Sequence, residues 1–157
     1  MNQFTRRKLA FIFGGLAAVA AKAESGKPGT SLHQEVDLPA SPERLYSMLL
    51  DASKFSAFTK HAAEIGTEEG APFKLFDARV EGRNVELIPN QRIVQAWRPV
   101  SWPAGVYSIV RFEFTARGNV TRITLDHAGF TADKWEHLNA GWEQNYWEPL
   151  RRYLAPA

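Results

Sequence analysis

The sequence predicts an α+β domain, a curved antiparallel β-sheet wrapped around one long C-terminal helix, with two short helices after the first strand. Three observations carry this. From Phe73 to Gly129 apolar and polar residues alternate with a period close to two, the signature of strands with one buried face. Beyond Gly129 the period changes to 3.6 and stays there almost to the end of the chain. A run of strands closed by a helix points to an antiparallel sheet with helices on one face, not to alternating βαβ units. The chain has 157 residues, a length for one domain.

The first strand is read at Leu32–Leu38, where apolar and polar residues alternate. Pro39-Ala40-Ser41-Pro42-Glu43 ends it. Ser41 is a natural helix cap and Pro42 suits the first helical position. Leu45, Tyr46, Leu49 and Leu50 then recur at helical spacing, and Asp51 caps a second short helix with Phe55 and Phe58. Strands are expected at Phe73–Phe76, Val85–Ile88, Ile93–Arg98, Tyr107–Ala116 and Val120–Ala128. Ser101–Gly105 reads as a turn, and the Gly118-Asn119 pair as a hairpin signal. Glu64, Glu68 and Glu69 read as a solvated loop. In the last helix Trp135, Leu138, Trp142, Tyr146, Leu150 and Tyr153 form one apolar stripe, and Pro149 is expected to kink it. A sheet closed on one long helix in this order is the helix-grip architecture.

The charge is unevenly distributed. Four of the 19 Lys and Arg residues, and none of the 17 Asp and Glu, lie in the first 23 positions, which leaves 15 against 17 and a formal charge of −2 for the rest. A slightly acidic domain without a basic stripe excludes phosphate-backbone binding as its purpose, so no nucleic-acid partner is expected. There is no Cys, which excludes disulfides and thiol catalysis.

Residues 1–23 have the layout of an export signal: Arg6-Arg7-Lys8, an apolar run from Leu9 to Ala21, and a small-x-small site at Ala21-Lys22-Ala23. The run is shorter than the ~20 residues a spanning helix needs, so no stable membrane span is expected after cleavage. Thr5-Arg6-Arg7-Lys8-Leu9 resembles the twin-arginine motif. The expectation is a periplasmic or secreted product, cytoplasmic if the leader is not used. Residues 24–30 then form a linker, and 31–155 a single domain.

Six ordered motifs carry a family resemblance. They are Phe73-Lys74-Leu75-Phe76, Glu86-Leu87-Ile88-Pro89, Ile93-Val94-Gln95-Ala96-Trp97-Arg98, Ser101-Trp102-Pro103-Ala104-Gly105, Leu125-Asp126-His127-Ala128-Gly129, and Gly141-Trp142 through Tyr146-Trp147-Glu148-Pro149-Leu150. In this order they resemble the activator-of-heat-shock-protein-90-ATPase family of the START-like (SRPBCC) superfamily. The resemblance implies a helix-grip fold with a possible cavity between sheet and helix. It does not imply co-chaperone activity, because the founding members use a second, N-terminal domain that is not expected in this chain.

Strand parity turns Ile93, Gln95 and Trp97 toward the helix, together with Val110, Phe112 and Phe114 on the next strand and Ile123, Leu125 and His127 on the last. The cavity-lining candidates are Phe73, Leu75, Leu87, Gln95, Trp97, Val110, Phe112, Leu125, His127, Trp142 and Tyr146. Gln95 and His127 are the polar members, read either as holding a ligand's head group or as satisfying the core. The four His show no metal-ligand spacing, and there is no phosphate loop, nucleophile elbow or paired-carboxylate pattern; no cofactor or metal is expected. The leading expectation is an exported protein holding a small hydrophobic or aromatic molecule. The alternatives are a protein-interaction module related to activators of a chaperone ATPase, and an enzyme on a cyclic or aromatic substrate with His127 as acid or base.

Overall fold

The computed structural model describes residues 29–156; the leader and all but the end of the linker lie outside the described residues. The strands are β1 (Ser31–Leu38), β2 (Glu64–Ile65), β3 (Pro72–Leu75), β4 (Val80–Ile88), β5 (Arg92–Pro99), β6 (Ser108–Arg117) and β7 (Val120–Ala128). They form one antiparallel sheet in the order β1-β7-β6-β5-β4-β3-β2. Helices α1 (Pro42–Leu50) and α2 (Ala52–Thr59) follow β1. The C-terminal helical segment begins with a 3-10 turn (Ala132–Lys134) and continues as α3 (Trp135–Trp142), a π turn (Glu143–Trp147) and α4 (Glu148–Leu154). This is the helix-grip architecture.

The local chemistry explains the boundaries. The Ser41 hydroxyl accepts from the Arg44 amide at 3.2 Å, and the Asp51 carboxylate from the Lys54 amide at 2.9 Å; each satisfies a donor that the first turn leaves open. One face of the sheet packs on the helices: Ile93, Val110, Ile123, Leu125 and Leu150 have no exposed surface. The other face is solvated and laced with ion pairs such as Arg122 with Asp37 and Arg111 with Asp126, each at 2.7 Å.

Four details depart from the sequence reading. First, β4 begins at Val80, five residues before the expected Val85. Its hidden inner positions are Gly82 and Asn84, residues that rarely mark a strand. Gly82 is the register partner of both Phe73 and Trp97. A Cβ there would lie 2.4 Å from the Phe73 ring and 2.0 Å from the Ala96 carbonyl oxygen, so only glycine lets that ring cross the strand. Val85 itself sits at a register shift between Asn84 and Glu86 and is half exposed.

Second, Phe76 is not the end of a strand. Phe76, Asp77 and Ala78 all have φ between 54° and 61°, three successive left-handed residues without a glycine. Each such residue is disfavoured by roughly 1–2 kcal/mol, so the turn must be held from outside. Asp77 holds it: its amide donates to the Ala62 carbonyl, and its carboxylate accepts from the Ala62 amide and lies 2.7 Å from His61 Nδ1.

Third, the last helix is interrupted before Pro149 by a π turn. The Glu148 amide donates to the Glu143 carbonyl, five residues back. The extra residue absorbs the bond that Pro149 cannot make and rotates everything after it. Tyr146 and Trp147 are therefore both buried, Leu154 joins the stripe, and Tyr153, expected on it, is 45% exposed.

Fourth, the acidic loop is not wholly solvated. Glu64 lies in β2, and the Glu69 carboxylate accepts from the Leu87 amide at 3.0 Å.

Candidate functional site

Three tryptophans of the C-terminal segment aim their indole N–H groups at the sheet. Trp135 donates to the Ser31 carbonyl (3.0 Å), Trp142 to His127 Nδ1 (3.1 Å) and Trp147 to Gln34 Oε1 (2.6 Å). Gln34 in turn donates to the side-chain and backbone oxygens of Asn139. These bonds fix how the helix lies across β1 and β7.

His127 is fully buried and completely used. An indole N–H can only donate, so Nδ1 accepts from Trp142 and the ring proton sits on Nε2. Nε2 then donates to Ser108 Oγ at 2.7 Å, and the Ser108 hydroxyl donates to the Trp97 carbonyl at 3.0 Å. Burial lowers the His127 pKa to about 3, so the ring is neutral at physiological pH. No hydrogen-bonding position remains for a substrate, and the geometry gives no support to acid or base work by this residue. Gln95 is buried as well, and its amide donates to Asn84 Oδ1 at 3.1 Å. Asn84 then donates to the Gly66 carbonyl at 2.7 Å. This second polar chain ties β5 and β4 to the loop before β3.

A pocket of about 320 Å³ opens where the strained β3–β4 turn, the β5–β6 loop and α3 meet. The turn and the start of β4 contribute Phe76, Arg79 and Val80; β5 and its loop contribute Trp97, Pro99, Val100, Ser101 and Trp102. The helical wall runs from Lys134 through His137, Leu138, Gly141, Trp142 and Asn145 to Tyr146. Trp97 and Trp142 stack with ring centroids 5.5 Å apart and planes 28° apart. The Trp102 wall is latched: Arg98 donates from Nη1 to the Trp102 carbonyl at 2.8 Å and from Nε to Glu81 at 3.1 Å. Burial raises the pKa of the Tyr146 phenol, which therefore stays protonated. Trp97 is 7% exposed, and its Nε1 is the one fully buried side-chain nitrogen or oxygen among the described residues with no hydrogen-bond partner. A buried donor without an acceptor carries a desolvation penalty of about 1–3 kcal/mol.

With this architecture in place, comparison with known proteins is decisive. The model of the family described as activator of Hsp90 ATPase homolog 1-like protein matches residues 39–155. The chain belongs to that family. Among curated relatives, the mouse activator of 90 kDa heat shock protein ATPase homolog 2 is 29% identical over 127 residues, 81% of this chain and 38% of that protein. The chain spans about a third of the length of the curated relatives it matches. Among solved structures, an HSP90 activator from Plasmodium falciparum superposes with a TM-score of 0.74 at 25% identity, covering 80% of this chain and 96% of that one. CalU16 from Micromonospora echinospora shares the fold, with a TM-score of 0.69 at 20% identity over 80% of this chain and 76% of that one.

Within this member of the activator-like family, three of the residues expected to line a cavity do so: Trp97, Trp142 and Tyr146. Phe73, Leu75, Val110, Phe112 and Leu125 are closely packed in the core, Leu87 is half buried, and Gln95 and His127 are engaged in the chains above. The pocket lies at one end of the sheet–helix interface, because the aromatic side chains fill the middle. Arg79, Lys134 and His137 were not singled out in the sequence. Their signal is faint: Lys134, Leu138, Gly141 and Asn145 recur at helical spacing one step beside the apolar stripe, with a glycine notch at the centre. Arg79 had no signal, since its place depends on the left-handed turn. Among the described residues no cluster of His, Asp or Glu could hold a metal ion, and no helix is long and apolar enough to cross a membrane.

Proposed function

We propose that this domain binds a small apolar or aromatic molecule in the pocket between the β5–β6 loop and α3. The observation that carries the proposal is a pocket of about 320 Å³ walled by Trp97, Trp102 and Trp142 between the β5–β6 loop and α3. Its volume falls at the lower end of the roughly 300–1,000 Å³ usual for ligand sites, and a mostly apolar lining with a few polar groups is their common composition. The strained turn beside it supports the same reading, since strain of this kind gathers at functional sites.

Gly141 gives the direct test. An added Cβ there meets nothing nearer than Asn145 Nδ2 at 3.7 Å, and replacing a helical glycine favours the helix by roughly 0.5–1 kcal/mol. Gly141→Leu should fill the pocket without unfolding the domain. The neutral probe N-phenyl-1-naphthylamine should bind saturably to the parent and not to Gly141→Leu, with both proteins equally folded by circular dichroism. Equal binding to both would refute this pocket as the site. Native mass spectrometry of protein from its own host would then name the occupant.

A second reading has its own support. Val100, Val106 and Tyr107 are exposed on the β5–β6 loop, and relatives bear the name of activators of a 90 kDa heat shock protein ATPase. On that reading the loop docks a protein, and the chaperone is the partner to try. An ATPase rate unchanged by saturating amounts of this domain would remove it. We also infer action after export, from the Arg6–Ala23 leader. Mature protein beginning at Glu24 would support that inference; full-length protein in the cytosol would end it.

A further inference from the structure

We infer that the pocket's occupant is an aromatic or apolar carboxylate, whose ring enters between Trp97, Trp102 and Leu138 and whose anionic head faces Arg79 and Lys134. The inference rests on the pocket reading above and names its ligand class.

The rim is where the charge lies. Arg79 stands on one wall; Lys134 and His137 stand on the helix opposite. No Asp or Glu lines the pocket. Asp77 and Asp133 pair with Arg79 and Lys134, and Glu81 with Arg98. Arg79 is held by a bond from Nε to the Phe76 carbonyl (2.9 Å), and its Nη2 lies 3.1 Å from His61 Nδ1 and 3.5 Å from Asp77 Oδ2. Its Nη1 has no partner among the described residues. Lys134 pairs with Asp133 at 2.8 Å, both well exposed, and an exposed pair of this kind is worth about 0–1 kcal/mol. It can therefore yield to a bound anion.

The hydrogen-bonding inventory points the same way. Arg79 and Lys134 have donors only. What is missing is an acceptor at this cationic rim, beside an apolar wall. A carboxylate brings acceptor oxygens and negative charge on the same small group, while an attached ring covers the indoles. Inorganic phosphate would match the cations but leave the apolar wall bare; a neutral hydrocarbon would do the reverse.

The test uses two probes of the same shape, 1-naphthaleneacetate and 1-naphthaleneacetamide, titrated into the domain by isothermal calorimetry. The carboxylate is expected to bind about tenfold more tightly at low salt, and the advantage should shrink in 0.5 M salt. Lys134→Glu, at an exposed position outside the strained turn, should remove most of that advantage while leaving amide binding within about twofold. Arg79→Gln should act in the same direction. Trp97→Phe should weaken both probes alike, because both lay the same ring against this wall. If the amide binds and the carboxylate is no tighter, or Lys134→Glu changes both equally, the carboxylate inference falls and the pocket reading stands. If neither probe binds but inorganic phosphate does, the site is an anion site without an apolar ligand and both readings fall. If none binds, both fall as well.

Discussion

Along β1 and β7 the indoles of Trp135, Trp142 and Trp147 each find an acceptor, His127 uses both ring nitrogens, and the side chains fill the space between sheet and helix. At the other end of the same interface, Trp97 stacks on Trp142 but its own N–H is unpaired, three left-handed residues turn the chain, and the packing opens into a pocket. The two ends use one residue type to opposite effect. Where the polar accounting closes, tryptophan acts as a rivet between elements. Where it stays open, a buried donor goes unpaired in a residue that also walls a pocket.

The comparison breaks most severely at Trp142, which belongs to both ends. Its ring lies within 6.1 Å, centroid to centroid, of Trp97, Phe112, His127, Tyr146 and Trp147. Trp142→Ala should lose roughly 3–5 kcal/mol, a large part of a total stability of about 5–15 kcal/mol. A urea melt showing a loss below about 1 kcal/mol would mean that the helix does not depend on this residue.

A matched pair sharpens the contrast. Trp147→Phe and Trp97→Phe remove the same atoms from two buried sites. The first leaves the Gln34 oxygen without its donor; the second abandons no partner. Trp147→Phe should therefore be the more damaging by about 1–3 kcal/mol, measured as the difference between two denaturant midpoints at equal slope. Equal losses would show that the unpaired N–H is no less useful to the fold than the paired ones.

The same contrast marks what the sequence made legible. Strand parity placed Gln95, Trp97 and His127 on the inner face, and β5 and β7 alternate buried and half-buried positions over most of their length. Period and capping residues sufficed for α1, α2 and the start of the last helix. Legibility failed where one residue's place depends on another far away. Gly82 sits in a strand because Phe73 needs its empty space, Asn84 because Gln95 and the Gly66 carbonyl need its amide. The left-handed run at Phe76 is held by the loop around Ala62, and with it Arg79. A one-residue π insertion moved Tyr153 off the stripe. Alternation therefore reveals the face a residue occupies, while the neighbour it meets there, and the gap left between neighbours, come from packing.

The smallest effect tests whether His127 belongs wholly to the closed end. Its folded pKa is about 3, lowered by burial, against an ordinary 6.5. Between these values the unfolded chain takes up a proton that the folded ring refuses. Stability is then complete above about pH 6.5 and declines as pH falls, by up to about 1.4 kcal/mol per unit. From pH 6.5 to 5.5 the loss due to this one group is about 1 kcal/mol by the same linkage. The carboxylates contribute little in that window, because Asp37 and Asp77 are lowered in the fold by Arg122 and by the Ala62 amide, respectively, and unfolded Asp titrates near 3.9. A glutamine at this position has one acceptor and one donor to offer Trp142 and Ser108 but no proton to gain. His127→Gln should therefore start less stable at pH 7 and lose about 1 kcal/mol less than the parent between pH 6.5 and 5.5. Parallel decline of the two proteins would mean that the ring can be protonated in place, with a path to water at the end of the interface that the structure shows closed.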